Sequence, residues 1–239
     1  DELVDAPHAV DVVDLVLLAQ VLARLPHRLF LAALGVGHAQ VVRVLAQAVH
    51  QLLAAVGLAA RPLVASALIE GPIMANCMSG ISGAGRKSSA RNLYCEVSES
   101  VVAYGVGGGH RHTPEMEQSI GHPVCFTPHL VPINRGISAT VQARLKGPMG
   151  LGDLRAVFAE RYADEAMITL RDAPPSTADV RGSNRAHLYV TLDERRAMVT
   201  VISVIDNLVK GAAGQAIQGA NVALGIPEAT GLPLFPMVP

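Results

Sequence analysis

Tyr104–Glu117 reads Tyr-Gly-Val-Gly-Gly-Gly-His-Arg-His-Thr-Pro-Glu-Met-Glu and concentrates residues that could do chemistry. His110 and His112 can move protons near neutral pH. Arg111, between them, suits a carboxylate or phosphate. Gly107, Gly108 and Gly109 allow backbone angles that other residues resist. Thr113 and Pro114 read as the N-cap and first residue of a helix. Glu115 and Glu117 then fall in its first turn, where the helix dipole favours negative charge. The spacing therefore brings a proton-transfer group beside an anion site. The plainer alternative is a glycine-rich turn with surface histidines.

A second candidate is Ser79-Gly-Ile-Ser-Gly-Ala-Gly-Arg-Lys87. Small residues let a ligand approach the backbone, and successive amides can form an anion nest beside Arg86 and Lys87. A solvent loop with basic residues would read the same way. It matches neither the dinucleotide fingerprint nor the phosphate loop of the nucleoside triphosphatases. Pro128 to Gly136 reads as a proline-bounded loop carrying His129 and Arg135.

The elements that must position these groups are legible in part. Pro72 to Asn76 and Val124 to Thr127 read as short strands, and Ile137 to Leu145 alternates as a longer one. Gly152 to Ala163 has helical spacing through Leu154, Val157, Phe158 and Tyr162. Asp172 to Pro175 breaks the chain. Ala186 to Leu192 and Met198 to Ile205 are strands joined by the turn Asp193 to Arg196. Asn207 to Leu224 reads as a helix of small residues whose glycines imply close packing or a ligand. The proline-rich tail from Pro227 should lie across the surface.

Half of the 239 residues are apolar and only 3% are aromatic, so the core must be Val, Leu, Ala and Ile. A net charge of -1 argues against nucleic acid or membrane partners held by bulk charge. Cys77, Cys95 and Cys125 show neither metal spacing nor an even disulfide framework, so a reducing cytoplasmic setting and no metal are expected. Residues 1–62 differ in texture. They lack Ser, Thr, Asn, Lys, Ile, Met, Tyr, Cys and Trp. That composition fits GC-rich DNA read out of frame, or a genuine Ala/Leu/Val-rich segment with helices at Asp11 to Ala23 and Ala39 to Ala55. His8, His27, His38 and His50 are scattered there without metal spacing.

Together, residues 63 to 232 resemble the N-acetyl-gamma-glutamyl-phosphate reductases of arginine biosynthesis. The resemblance is carried, in order, by Ser79-Gly-Ile-Ser-Gly-Ala-Gly-Arg86, Gly109-His-Arg-His-Thr-Pro-Glu115, Phe126-Thr-Pro-His-Leu130, Asn134-Arg-Gly136, Asp179-Val-Arg-Gly-Ser-Asn184 and Asp206-Asn-Leu-Val-Lys-Gly-Ala-Ala213. It implies an α/β (α+β) fold: a glyceraldehyde-3-phosphate-dehydrogenase-like C-terminal domain with a mixed sheet and flanking helices. It implies an oxidoreductase in which a cysteine thiolate attacks N-acetyl-glutamyl phosphate and NADPH reduces the thioester to a semialdehyde. It also implies a homo-oligomer, dimer or tetramer. Under the resemblance, His112 is the favoured acid/base with Glu115 orienting it, and His110 is the alternative. Arg111, Arg135 and Tyr104 become substrate contacts. Ser82, Gly83, Ala84 and Gly85 would lie beside the nicotinamide ribose, Asn207 near the nicotinamide amide, and Lys210 against the cofactor half.

The chain departs from the family pattern in two places. The family's Gly-Cys-Tyr/Phe-Pro-Thr nucleophile motif would fall near Ala48 to Leu52, where there is no cysteine, and the Gly-x-Thr-Gly-x-x-Gly cofactor loop is absent. Cys77 is the nearest thiol and reads as a buried structural cysteine. The expectation is a catalytic and dimerisation domain at 63–239 behind an atypical segment at 1–62, truncated and without activity of its own. The alternatives are a non-catalytic partner of an intact reductase, or another semialdehyde-dehydrogenase relative. The His-Arg-His-Thr-Pro-Glu motif disfavours the latter.

Overall fold

A computed structural model describes residues 51–85 and 93–237. The helix expected at 11–23, most of that at 39–55, the four early histidines, Arg86 and Lys87 lie outside them. Helix α1 (Gln51–Ala65) comes first. It is followed by β1 (Ile69–Gly80), a 3₁₀ turn (Ile81–Ala84), α2 (Tyr94–Val97), β2 (Val102–Ala103), α3 (Thr113–Ile120) and β3 (Val124–Val131). Then come β4 (Ile137–Leu145), α4 (Leu151–Arg161), β5 (Ile168–Arg171), a 3₁₀ turn (Thr177–Val180), β6 (Ala186–Asp193) and β7 (Met198–Ile205). A π-helical turn (Val209–Ala213) leads into α5 (Gly214–Ala223).

The strands form one seven-stranded mixed sheet in the order β2-β3-β1-β4-β7-β6-β5. β1 and β3 are parallel, and parallel neighbours need a crossover of a dozen or more residues. Residues 81–123 are that crossover, so both candidate loops ride on it. Helices α1, α3 and α4 cover one face, where Val56, Leu63, Ile73, Ile137, Leu154, Phe158, Leu188 and Ile205 close the core. The other face is exposed along β1 and β3 among the described residues, where Met74 is 38% and Met78 54% exposed and Cys125 is exposed. Along β6 and β7 the 3₁₀ turn Thr177–Val180 packs on it, and His187 and Val204 are buried there.

Several boundaries differ from expectation, each for a local reason. The change of composition after residue 62 is not a structural boundary. α1 runs through it, and Leu52, Leu53, Ala55, Val56, Ala59 and Ala60 on its near side join the core. Pro62 sits inside α1 and has no N–H to offer Leu58 O one turn back. That carbonyl instead accepts the Tyr162 hydroxyl at 2.6 Å, tying α4 to α1. The strand expected at 72–76 is the middle of a longer one. Pro128 to Val131 is strand rather than loop, because Pro128 O still accepts Tyr104 N at 3.0 Å. Helix α3 starts one residue early: His112, not Thr113, is the N-cap, and Pro114 is the second helical residue. Glu117 then works at the helix's far end, where its Oε1 accepts Val124 N at 3.0 Å. The long helix expected from Asn207 is a π turn followed by α5. The tail is anchored: Pro233 O accepts Asn184 N at 2.7 Å and Leu234 O accepts Arg185 Nε at 2.7 Å.

Candidate functional site

Two polar clusters lie over the helix-covered face of β1 and β3. The first gathers four rings. His110 packs edge-on against Phe126 and against His112, each at 5.1 Å between centroids, with Tyr104 at 5.7 Å. His110 Nδ1 accepts His112 N at 3.3 Å. A neutral imidazole that accepts at Nδ1 carries its proton on Nε2. Gly105 makes this fold possible: its φ is +57°, and a Cβ there would lie 2.9 Å from His110 Cβ. Arg111 and Glu115 are exposed on the rim.

Beneath Tyr104 lies Cys77. It is fully buried, and burial pushes its thiol far above the ordinary range. Burial also raises the Tyr104 hydroxyl, with a smaller contribution from the charge Cys77 would carry if ionised. Cys77 is therefore a packed core residue, as its sequence context suggested, and supplies no thiolate.

The second cluster stands at the end of β1. Ser79 follows Ala75, the partner of Phe126, by four residues, roughly 13 Å of strand. Here Asn207 is the hub. Its Oδ1 accepts Gly136 N at 2.7 Å and its Nδ2 donates to Ser82 Oγ at 2.8 Å. Ser82 Oγ in turn donates to Asn134 O at 2.5 Å. Gln51 reaches the same place. A Cβ on Gly83 would lie 3.0 Å from Ser79 Oγ, 3.1 Å from Gln51 Oε1 and 3.7 Å from Asn207 Nδ2. Gln51 is thus a site residue that sequence reasoning missed. The resemblance placed a missing nucleophile motif near Ala48 to Leu52, but the Ala/Leu texture of that segment carries no signal for Gln51 itself.

Asp206 braces this cluster. Its carboxylate is wholly buried; Arg135 Nη2 donates to Oδ1 at 3.0 Å, and Arg135 Nε stands 2.9 Å from Oδ2 as an ion pair. It also accepts the backbone N–H groups of Gly182, Leu208 and Val209 at 2.7, 2.8 and 2.9 Å. Burial alone would raise its pKa, but the hydrogen bonds from Arg135 and these amides outweigh it and hold the carboxyl below its ordinary value. The guanidinium of Arg135 is thereby engaged inside the protein. Lys210 is turned away from Ser82 and Asn207 and donates to Gln218 Oε1 at 2.6 Å. Ala84 and Gly85 are exposed.

Of the expected site residues, Tyr104, His110 and His112 come together, and Ser82, Gly83 and Asn207 form a separate group. Together they offer a held imidazole pair and a rigid loop edge. A dinucleotide does not fit the described residues by themselves. Asn207 is fully buried with its amide bonded to Gly136 and Ser82, and Lys210 is bonded to Gln218 instead.

The comparisons with known proteins bear on the family and the fold. N-acetyl-gamma-glutamyl-phosphate reductase of Geobacter metallireducens is 49% identical over 187 residues, covering 73% of this chain and 54% of the relative. That of Geobacter sulfurreducens is 47% identical, covering 75% and 54%, and that of Laribacter hongkongensis 46%, covering 77% and 56%. The chain spans about half the length of these relatives. Among solved structures, aspartate semialdehyde dehydrogenase II of Vibrio cholerae superposes with a TM-score of 0.59 at 17% identity, covering 74% of this chain and 61% of that one. The Francisella tularensis aspartate semialdehyde dehydrogenase gives 0.60 at 13%, covering 78% and 68%. At such identities the likeness shows the fold alone, and it is the mixed sheet with flanking helices that the motifs implied. A family model described as "Semialdehyde dehydrogenase, dimerisation domain" matches residues 53–207, and the chain belongs to that family.

Proposed function

We propose that this chain is the substrate-side and assembly half of an NADPH-dependent acyl-phosphate reductase acting on N-acetyl-glutamyl phosphate. The observation that carries the reading is the packed Tyr104–His110–His112–Phe126 cluster, built from the motif that the resemblance rests on. In this reading the imidazole pair passes protons, with His112 at the mouth of α3 as acid/base and Glu115 beside it in the first turn. Arg111 on the exposed rim contacts the substrate's carboxylate or phosphate. NADP would be held by sequence that the relatives have and this chain does not span, with the Ser82–Gly85 edge beside it. Three free cysteines, two of them exposed, suit a reducing cytoplasm.

Titrating N-acetylglutamate, a stable stand-in for the acyl phosphate, into isotope-labelled protein is expected to shift the His110 and His112 ring resonances. Arg111→Ala should weaken that binding about tenfold, the worth of one charge-assisted contact. Histidine resonances that stay put while N-acetylglutamate is raised to saturating levels would overturn the reading.

The open sheet face supports self-association, with Met74 and Met78 as its apolar centre. In a two-fold interface each substitution acts twice. Met78→Glu is expected to weaken the dimer by about 100-fold or more, measured by sedimentation equilibrium. An unchanged association constant would place the interface elsewhere. Gln51 lies in the stretch where the resemblance would put a nucleophile, and its amide cannot attack an acyl phosphate. That favours a chain that assembles without turning over by itself.

A further inference from the structure

A cleft of about 280 Å³ opens between α1, the C-terminal end of α4 and α5. Its charged groups are Arg61 on α1, Arg161 at the end of α4 with Glu165 just beyond, Lys210 on the π turn, and Glu228 in the tail. Lys210 is only 6% exposed. Its ammonium donates to Gln218 Oε1, a neutral acceptor that also takes Asn184 Nδ2 at 2.9 Å. Glu228 is engaged by Gln218 Nε2, and Glu165 by Arg161 at 3.8 Å. Arg61 donates to Ser119 O and Oγ, both at 3.1 Å. Among the described residues, then, neither Lys210 nor Arg61 has a carboxylate within ion-pair distance.

A buried ammonium whose hydrogen-bond partner is a neutral amide is costly unless opposite charge compensates it, and Glu228 and Glu165 offset the burial only in part. π turns frequently mark functional sites, and this one places Lys210 on the wall of a cleft that a second cation without an ion pair, Arg61, also lines. We propose that the cleft binds a small oxyanion, a carboxylate or phosphate group, between Lys210 Nζ and the Arg61 guanidinium. Its volume lies just under the 300–1,000 Å³ usual for drug-sized ligands, which fits a small metabolite. The site shares no residue with the imidazole cluster and stands whether or not the proposed function holds.

The occupant should depend on pH. Burial pushes Lys210 down to about 8, with Glu228 and then Glu165 pulling it back up. The ammonium is mostly charged at pH 7 and mostly neutral at pH 9, so anion affinity should fall about tenfold between them. The test measures Tm of the full chain against inorganic phosphate and, separately, glutarate, at constant ionic strength. Glutarate keeps its charge across this range. A saturable rise with either probe supports the site, and the probe that binds tells phosphate from carboxylate chemistry. Lys210→Met and Arg61→Gln are each expected to cut the affinity at least tenfold. No saturable rise with either probe, or the same rise in both variants, overturns the proposal. Should Lys210→Met fail to fold by circular dichroism, Arg61→Gln decides alone, and undiminished binding there is fatal to it.

Discussion

Replacing Asp206 by alanine is expected to remove ~3–5 kcal/mol of stability, the usual cost of leaving one member of a buried ion pair without its partner. The carboxylate is wholly buried, and one residue holds three segments: Arg135 from the β3–β4 loop, Gly182 after the second 3₁₀ turn, and the amides of Leu208 and Val209. Alanine would strand the guanidinium and three backbone donors at once. Asn207 would lose the support that aims it at Gly136 and Ser82. Domains of this kind have ~5–15 kcal/mol in all, so the variant should sit near the edge of folding. The acid response follows from the same bonds. Because the folded carboxyl is held below its unfolded value near 3.8, its contribution is complete above that value and fades as pH falls toward the folded pKa. Urea titrations of wild type and Asp206→Ala at pH 7 and at pH 3 check both points. The gap should be wide at pH 7 and narrower at pH 3. A gap below about 1 kcal/mol at pH 7 would mean that Arg135 and the amides find other partners.

The largest expected effect on activity is a null: the purified chain should not oxidise NADPH with N-acetyl-glutamyl phosphate. Thioester chemistry needs a thiolate that substrate can reach. Cys77 is shut in the core with its thiol far above the ordinary range. Cys95 and Cys125 are exposed, but Cys125 points from the open face of the sheet, away from the imidazoles, and Cys95 stands on the short helix α2. Gln51, close to Ser79 and Asn207, offers an amide instead. General acid–base help from a well-placed imidazole is worth ~10²–10⁴-fold, yet it assists a nucleophile and does not replace one.

How much of this was legible beforehand depended on whether the signal was local. Ile137–Leu145 alternates because one face meets α1 and the other is less buried, and Met198–Ile205 does so until Ser203, Val204 and Ile205, where both faces are covered. The glycine loop and its histidines announce themselves by composition, and their meeting with Phe126 follows from the crossover that returns the chain from β1 to β3. Asp206 was harder. Its partners Arg135 and Gly182 are distant in sequence, and the β4–β7 and β6–β7 pairings bring them to it. The resemblance pointed to the stretch that holds Gln51, Ala48 to Leu52, but not to Gln51 itself. Nothing in an Ala/Leu-rich helix distinguishes the residue that touches the loop from those that pack the core. Lys210 looked like a ligand for the cofactor side, but the π turn rotates it toward Gln218, a local irregularity with no marker in the sequence.

The central claim is that this chain carries a proton-relay cluster with no sulfur in reach of substrate. A stopped-flow assay following NADPH absorbance, with purified chain and N-acetyl-glutamyl phosphate in excess, tests it most directly. The expected trace is flat, with neither a burst nor a steady rate above the protein-free control. NADPH consumption that scales with protein concentration, and that disappears when Cys77 is changed to serine, would contradict the account.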